Sequence, residues 1–255
     1  MARMSSPRID RFVVRALRLP MREPHHTASG VITESPLVLT DIVCDDGTIG
    51  HSLVFAYTPM ALQPTAELVR NLEPLVKGDP LAPVDTEQKL ARRFRLLGPQ
   101  GLVGMALAAV DMALWDAQAR LLGVSLAQLL GGTAKPVPAY GAVGYDGEAK
   151  SARVAEGWAR RGFTGVKAKI GYPSIAEDVA VIRAMRAAVG PDVAIMVDYN
   201  QSLTPEEAVQ RMRVLDGEGL AWVEEPTLAN DFAGHARVAR EAATPIQAGE
   251  NWWGP

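Results

Sequence analysis

Two lysines and three acids have the types and the spacing needed for acid–base and metal chemistry. Lys167 and Lys169 are two residues apart, and such positions lie on one face of a β-strand. Asp198, Glu224 and Glu250 each come at the end of a short apolar run, and they are separated by steps of 26 residues. One strand–helix–strand unit has about that length. We therefore expect neighbouring parallel strands to bring two ammonium groups and three carboxylates to one end of a barrel.

The three acids favour a magnesium site. Asp198, Glu224 and Glu250 offer only hard oxygen ligands, and no Cys or His is interleaved at ligand spacing. Such a donor set selects Mg²⁺ (or Mn²⁺) over zinc. A single acid at a strand end is more often a cap for the next helix, but three at even spacing outweigh that interpretation. Asn200, two residues after Asp198, is either a polar site group or a turn former.

The two lysines suggest proton transfer. A lysine next to a dication and a second lysine is expected to have a lowered pKa, because nearby positive charge disfavours its protonated form. Such a lysine can serve as a general base near neutral pH, while a metal stabilises the charge that develops on a bound carboxylate. The pattern predicts removal of a proton α to a carboxylate through a metal-stabilised enediolate. The alternative is a structural pairing of Lys167 and Lys169 with the acids, without chemistry.

The elements that must position these groups are expected in the second half of the chain. From residue 133 onwards, apolar runs alternate with helical patterns, and capping boxes open helices at Ser174–Glu177 and Thr204–Glu207. The five predicted strands are nearly continuous apolar runs, as a parallel sheet covered by helices requires; they cover residues 137–143, 163–170, 193–197, 220–223 and 245–248. We predict a (β/α) TIM-like barrel over residues 133–255, with about five of its eight βα units. Either the sequence is a fragment, or the remaining strands come from elsewhere.

The first half of the chain has a different pattern. Predicted strands at 8–19 and 37–44 precede a turn at Asp45–Thr48 and a third strand, and three helices and a short fourth one follow. Strands first and helices afterwards indicate an α+β domain, here residues 1–132. Between the first two strands, residues 21–34 are polar, contain glycine and lack periodicity. They are either an exposed loop or a flexible lid over a site.

Composition excludes several classes of protein. The 255 residues are 48% hydrophobic and 22% charged, as in soluble globular proteins. A net charge of −3 leaves no basic footprint for nucleic acid, and no long apolar run predicts a membrane span. With Cys44 as the single cysteine and no signal-peptide pattern at the start, we expect a cytoplasmic protein.

Residues from about Ser35 to Pro255 resemble the mandelate racemase group of the enolase superfamily. The resemblance covers nearly the whole chain, and the motifs that carry it are long and specific: Phe55–Pro59, Lys167–Pro173, Val197–Leu203, Trp222–Leu228 and Gly249–Trp252. A lysine or histidine base working with Mg²⁺ is the established chemistry of this superfamily, so the resemblance implies that chemistry here.

The resemblance also implies roles for individual residues. Lys169 would be the base for one substrate enantiomer, and Lys167 would bind the substrate carboxylate and lower the pKa of its neighbour. Asp198, Glu224 and Glu250 match the Mg²⁺ ligands. Residues 21–34 match the family's lid. The residues expected to bind substrate are Asn200, Lys167, Tyr57, His25, Ser29 and Ile32. Enzymes of this resemblance are commonly multimers, so we also expect a homo-oligomer.

Departures from the family pattern bear on the substrate and the reaction. The family's second base, a histidine paired with an aspartate, and its electrophilic glutamate would lie beyond Pro255, so we do not expect this chain alone to racemise a substrate. Ala142 and Val143 stand where mandelate racemase has a serine and a histidine. The lid carries His25 and Ser29 where that enzyme is apolar.

Two classes of function follow from these observations. One is a Mg²⁺-dependent enzyme acting on a 2-hydroxy carboxylate. A racemase is favoured by the closeness of the motifs, and an acid-sugar dehydratase is favoured by the more polar lid. The other is a truncated chain that binds Mg²⁺ without turnover. A Schiff-base aldolase is a weaker third interpretation.

Overall fold

Two structural units make up the chain. A computed structural model describes residues 6–27 and 30–253. Its first unit comprises mainly the segment up to Arg22 and Glu34–Pro136, and its second unit comprises Glu23–Thr33 and Val137–Trp252. The boundary between the units therefore lies between residues 136 and 137. Most of the predicted lid segment belongs to the second unit.

A three-stranded sheet and four helices form from the first half of the chain. Strands β1 (Ile9–Thr27), β2 (Gly30–Cys44) and β3 (Ile49–Phe55) lie in that order, and β2 and β3 are antiparallel. The predicted turn joins β2 to β3, and the Asp46 carboxylate accepts a hydrogen bond from Thr48 N at 2.9 Å. The helices are α1 (Pro59–Val76), α2 (Pro83–Arg93), α3 (Leu102–Leu122) and α4 (Leu126–Leu129).

Helix α3 is the core helix of the first unit. By length and composition it is apolar enough to cross a membrane, but its small residues, such as Ala109 and Ala113, are fully buried in the hydrophobic core of this unit. Strand β3 approaches it so closely that a Cβ added to Gly50 would lie 1.9 Å from Ala113 O. This contact explains why the strand has a glycine at this position.

The second unit contains five parallel strands that alternate with helices. The strands β4 (Gly141–Val143), β5 (Gly165–Lys169), β6 (Ala194–Asp198), β7 (Trp222–Glu224) and β8 (Ile246–Gln247) are neighbours in that order. The helices between them are α5 (Gly147–Arg160), α6 (Ile175–Val189), α7 (Pro205–Leu215) and α8 (Phe232–Glu241). The predicted fold class, an α+β domain followed by an incomplete (β/α) barrel, is confirmed.

Local sequence explains where two of these helices begin. Both predicted capping boxes are present. Ser174 Oγ accepts from Glu177 N at 3.3 Å while Glu177 accepts from Ser174 N at 2.9 Å. Thr204 and Glu207 repeat this arrangement at the start of α7. Each box satisfies two backbone donors that a helix start would otherwise leave unpaired, and each follows directly on the loop that leaves β5 or β6.

Two predicted elements differ from the structure. The first strand of the second unit was expected from Val137, but β4 begins only at Gly141. Pro136 and Pro138 have no N–H to give to a neighbouring strand. The interpretation of residues 21–34 as an aperiodic loop is wrong, because β1 runs to Thr27 and β2 starts at Gly30. A two-stranded arm is held by backbone hydrogen bonds, which need no apolar periodicity.

Candidate active site

The predicted lysines and two of the predicted acids lie at adjacent strand ends. Lys169 is the last residue of β5, Asp198 is the last of β6 and Glu224 is the last of β7. In the strand register Lys169 is opposite Asp198, and Asp198 is opposite Glu224. The same edge of a parallel sheet therefore carries all three, together with Lys167 two residues earlier on β5.

Both lysine side chains reach across to the acids. Lys169 Nζ lies 2.5 Å from Asp198 Oδ2. Lys167 Nζ donates to Glu224 Oε1 at 2.6 Å and Oε2 at 2.7 Å, and it lies 3.5 Å from Asp198 Oδ2. Lys167 thus bridges the two acids. The carboxylates are almost fully buried, with side chains 0% and 3% exposed, and the two ammonium groups balance their charge.

The charges around Lys167 determine the direction of its pKa shift. Burial acts to lower the pKa of Lys167. Its hydrogen bonds to Glu224 and the negative charges of Asp198 and Glu224 outweigh burial, so the pKa is raised above the ordinary lysine value. Carboxylates are the nearest charged neighbours of Lys167, and nearby negative charge favours the protonated form of a lysine.

The donors for a metal ion are partly assembled. Asp198 and Glu224 are buried, lie on adjacent strands and offer hard oxygen atoms, so they fit Mg²⁺ in type and position. Glu250 lies three residues after β8 and is exposed. Within residues 6–27 and 30–253, no group of three or more acids, histidines or cysteines is arranged to hold a metal ion. The assignment of Glu250 as a third ligand stays a prediction.

The chain turns sharply after β6 and β7. Asn200, Gln201 and Glu225 have φ angles of 46°, 63° and 40°, in the left-handed region that side chains other than glycine rarely adopt. Such residues cost about 1–3 kcal/mol each and cluster at functional sites. The first turn brings Asn200 back onto Asp198, to which it donates from its backbone N at 2.7 Å and its side-chain Nδ2 at 3.3 Å.

Glu225 has partners that the sequence did not predict. Because Glu225 is adjacent to Glu224 and points away from it, the sequence predicts a cation such as a lysine as its partner, and this prediction is wrong in the described part of the chain. Asn251 Nδ2 donates to both Glu225 carboxylate oxygens at 2.9 and 3.0 Å, and Gln201 Nε2 lies 3.4 Å from one of them. Burial raises the pKa of Glu225; the hydrogen bond from Asn251 opposes this rise, and the negative charge of Glu250 adds to it.

A second buried carboxylate, Asp178 on α6, was also missed. Its Oδ1 accepts from the backbone N atoms of Gly171 and Tyr172, each at 2.9 Å. Its Oδ2 accepts from Tyr199 OH at 2.8 Å and from Arg211 at 2.5 Å. Gly171 follows Lys169 by two residues, and Tyr199 follows Asp198 directly. Asp178 therefore ties the chain just beyond β5 to the chain just beyond β6.

The predicted lid contributes His25 to the surroundings of Lys169. Burial lowers the pKa of His25, and the positive charge of Lys169 lowers it further. The backbone carbonyl of His26 accepts a hydrogen bond from Tyr145 N at 3.1 Å, which attaches this segment to the loop after β4. Ile32 is half-buried on β2.

Ser29 and Tyr57 are the remaining predicted substrate-binding residues. Ser29 lies outside the described residues. Tyr57 belongs to the first unit, where it follows β3 with a φ of 57° and its ring centroid lies 5.0 Å from that of Phe55. The substrate-binding roles of all these residues stay predictions.

Known protein families match both parts of the chain. Residues 9–131 match the family described as mandelate racemase / muconate lactonizing enzyme, N-terminal domain. Residues 150–255 match the family described as enolase C-terminal domain-like.

Solved and curated proteins extend this similarity. A crystal structure of an enolase from Bradyrhizobium, complexed with magnesium and mandelic acid, has a TM-score of 0.93 and 44% identity, with 98% of this chain and 70% of that one covered. D-galactarolactone cycloisomerase of Agrobacterium fabrum is 34% identical, with 91% of this chain and 62% of the relative covered. L-talarate/galactarate dehydratase of Salmonella typhimurium is 31% identical, with 86% and 56% covered. The chain thus spans about three fifths of the length of these curated relatives. Further similar proteins include racemases and epimerases.

Proposed function

Because the chain belongs to the mandelate racemase / muconate lactonizing enzyme family of the enolase superfamily, we propose that it removes the α-proton of a 2-hydroxy carboxylate, with Lys169 as the base. The observation that carries this proposal is the meeting of two lysines with two buried carboxylates at adjacent strand ends. Relatives in the family include racemases, epimerases, dehydratases and cycloisomerases. Among these reactions we favour racemisation, of which Lys169 would carry out the proton removal on one face of the substrate, because the motifs around Lys169 resemble those of mandelate racemase.

In this reaction the two lysines have different tasks. Lys169 would act as the base that takes the proton from the α-carbon, and the electron pair of the broken C–H bond would move into the substrate carboxylate. The ammonium group of Lys167 would hold that carboxylate, as its contacts with Glu224 and Asp198 indicate an affinity for carboxylate oxygens. Asn200, held against Asp198, would orient a polar group of the substrate.

A magnesium ion is the proposed cofactor. Asp198 and Glu224 would hold it, with Glu250 as the predicted third ligand. When bound, Mg²⁺ would supply positive charge that stabilises the charge developing on the substrate carboxylate. The Bradyrhizobium relative is complexed with magnesium, which supports this proposal.

Dehydration of an acid sugar is the second candidate. It shares the proton removal by Lys169, but the hydroxyl group on carbon 3 then leaves as water, and the resulting enol becomes a 2-keto acid. Two observations favour it: the predicted lid carries the polar and partly buried His25, and a curated relative is an L-talarate/galactarate dehydratase. In its protonated form, His25 would be the acid that gives a proton to the leaving hydroxyl group.

Solvent exchange tests the proposal directly. The protein is incubated with Mg²⁺ in D2O, with mandelate and galactarate as probes, and loss of the α-proton signal is followed by NMR. Exchange is expected in the wild type, and Lys169→Met should slow it by at least about 100-fold, because it removes the base. Lys89→Met is the matched control, since Lys89 forms an ion pair with Asp79 in the first unit.

The outcomes separate the two candidates. Exchange into unchanged mandelate supports the racemase, whereas a 2-keto acid formed from galactarate supports the dehydratase. Wild-type protein that binds Mg²⁺ but exchanges no 2-hydroxy acid would contradict both. Exchange that survives Lys169→Met would assign the base to another residue.

A further inference from the structure

The loops that follow β6, β7 and β8 meet at a single side chain. Glu225, directly after Glu224, is fully buried. Asn251, directly after Glu250, donates both of its bonds to the Glu225 carboxylate, and Gln201, three residues after Asp198, donates a third. Each of the three predicted magnesium ligands is therefore followed within three residues by a member of this cluster, which we call the Glu225 clamp (Gln201, Glu225 and Asn251).

Backbone contacts reinforce the side-chain contacts. Gln201 N donates to Glu225 O at 2.8 Å, and Glu225 N donates to Gln247 O at 2.9 Å at the end of β8. The other end of the Gln201 amide, Oε1, accepts from Ala229 N at 2.8 Å in the loop beyond β7. Both ends of the Gln201 side-chain amide, Nε2 and Oε1, therefore connect the loop after β6 to the loop after β7.

We propose that Glu225 is a positioning residue, which holds the loops carrying Asp198, Glu224 and Glu250 in the arrangement that binds Mg²⁺. The proposal rests on the proposed function, because it assumes that these acids are the metal ligands. In this role Glu225 would contact neither the metal nor the substrate. It acts through the amide groups of Gln201 and Asn251, whose backbones lead directly back to the ligands.

The arrangement explains why Glu250 depends on the clamp most. Asp198 and Glu224 are held within strands and bonded to lysines, whereas Glu250 lies beyond the short strand β8 and is exposed. Asn251 is the residue next to Glu250 and makes two bonds to Glu225. Loss of these bonds should free Glu250 first. Removing partners that orient metal ligands typically weakens metal binding by about 10- to 100-fold.

A charge-neutral variant and a charge-swapped pair test the clamp. Asn251→Ala removes both bonds to Glu225 without changing the net charge. The double variant Glu225→Gln/Asn251→Asp moves the carboxylate to the other side of the same contact and keeps the net charge of the wild type. Asn230→Ala, in the exposed loop after β7, is the matched control.

Two measurements are made on each variant: the dissociation constant of Mg²⁺ alone by calorimetry, and amide hydrogen exchange of the segments 199–203 and 247–252 by mass spectrometry. Asn251→Ala should raise the dissociation constant by roughly 10-fold or more and speed exchange in both segments. The swapped pair should restore both properties, and Asn230→Ala should change neither. Unfolding is followed in parallel, since a merely structural role would lower stability and leave Mg²⁺ affinity unchanged in the folded protein.

Two results would overturn the proposal. One is an Asn251→Ala variant with wild-type Mg²⁺ affinity and exchange, and the other is a swapped pair that behaves like Asn251→Ala. If the wild type itself does not bind Mg²⁺, the metal in the proposed function is wrong. Hydrogen exchange then decides alone whether Glu225 holds the three loops together, because that measurement needs no metal.

Discussion

The hydroxyl group of Tyr199 should contribute measurably to stability, and Tyr199→Phe removes it alone. Tyr199 is fully buried, and its OH donates to Asp178 Oδ2 at 2.8 Å. A hydrogen bond to a charged group contributes about 1.5–3 kcal/mol. Asp178 keeps its bonds from Gly171, Tyr172 and Arg211 in the variant, so the loss should stay within that range.

Urea unfolding followed by circular dichroism measures this loss, with the slope m unchanged between wild type and variant. In thermal unfolding the same change should lower Tm by about 3–12 °C. Tyr145→Phe is the control, since Tyr145 OH donates to a neutral acceptor, Gly171 O, at a longer 3.3 Å; it should cost about 1 kcal/mol or less. Equal losses for the two variants would refute the conclusion that the Asp178 carboxylate anchors the ends of β5 and β6.

Two further predictions concern packing and pH. Gly50→Ala should lower the free energy of unfolding by about 1–3 kcal/mol or more, because the added Cβ would meet Ala113 O at 1.9 Å. Gly217→Ala is the control, because the added Cβ would have an ordinary contact at 3.6 Å. An equal loss of stability in the two variants would contradict the packing argument. Burial acts to raise the pKa of Asp216, but hydrogen bonds from the backbone N atoms of Ala243 and Thr244 hold it below its usual value. This stabilisation is present above about pH 4 and is lost as pH falls through the folded-state pKa. The Asp216→Asn variant should therefore be less stable than the wild type at pH 7. The difference in the free energy of unfolding, measured by urea titration, should be smaller at pH 3. A difference that is the same at both pH values would contradict the lowered pKa of Asp216.

Local signals in the sequence predicted much of the fold. The capping boxes at Ser174 and Thr204 involve residues only three apart, so the chain itself contains all the atoms that form them. The strands that end at Lys169 and Asp198 were visible as apolar runs because a covered parallel sheet buries both faces. The even spacing of the acids, together with the strand that carries Lys169 before them, predicted correctly that Lys169, Asp198 and Glu224 lie on neighbouring strands.

Other features could not be predicted because they depend on residues distant in the sequence. Polar residues between 21 and 34 have no apolar period, so the extended arm formed by β1 and β2 gave no local signal. Asp178 follows Glu177 in the first turn of α6, where acids commonly interact with the helix dipole. The sequence predicts that Glu177 caps this helix, but only the fold shows that Asp178 is buried against Tyr199 and Arg211.

The sequence by itself determined which groups are available: two lysines on one strand face, and acids at the ends of successive apolar runs. Residue type and spacing carry that information, because strand periodicity is local. Tertiary structure decided how these groups pair. Lys167 bridges two acids, Glu225 binds amides and not a lysine, and Glu250 is exposed. Pairing depends on distances between side chains on different strands, which are set when the strands and helices pack together.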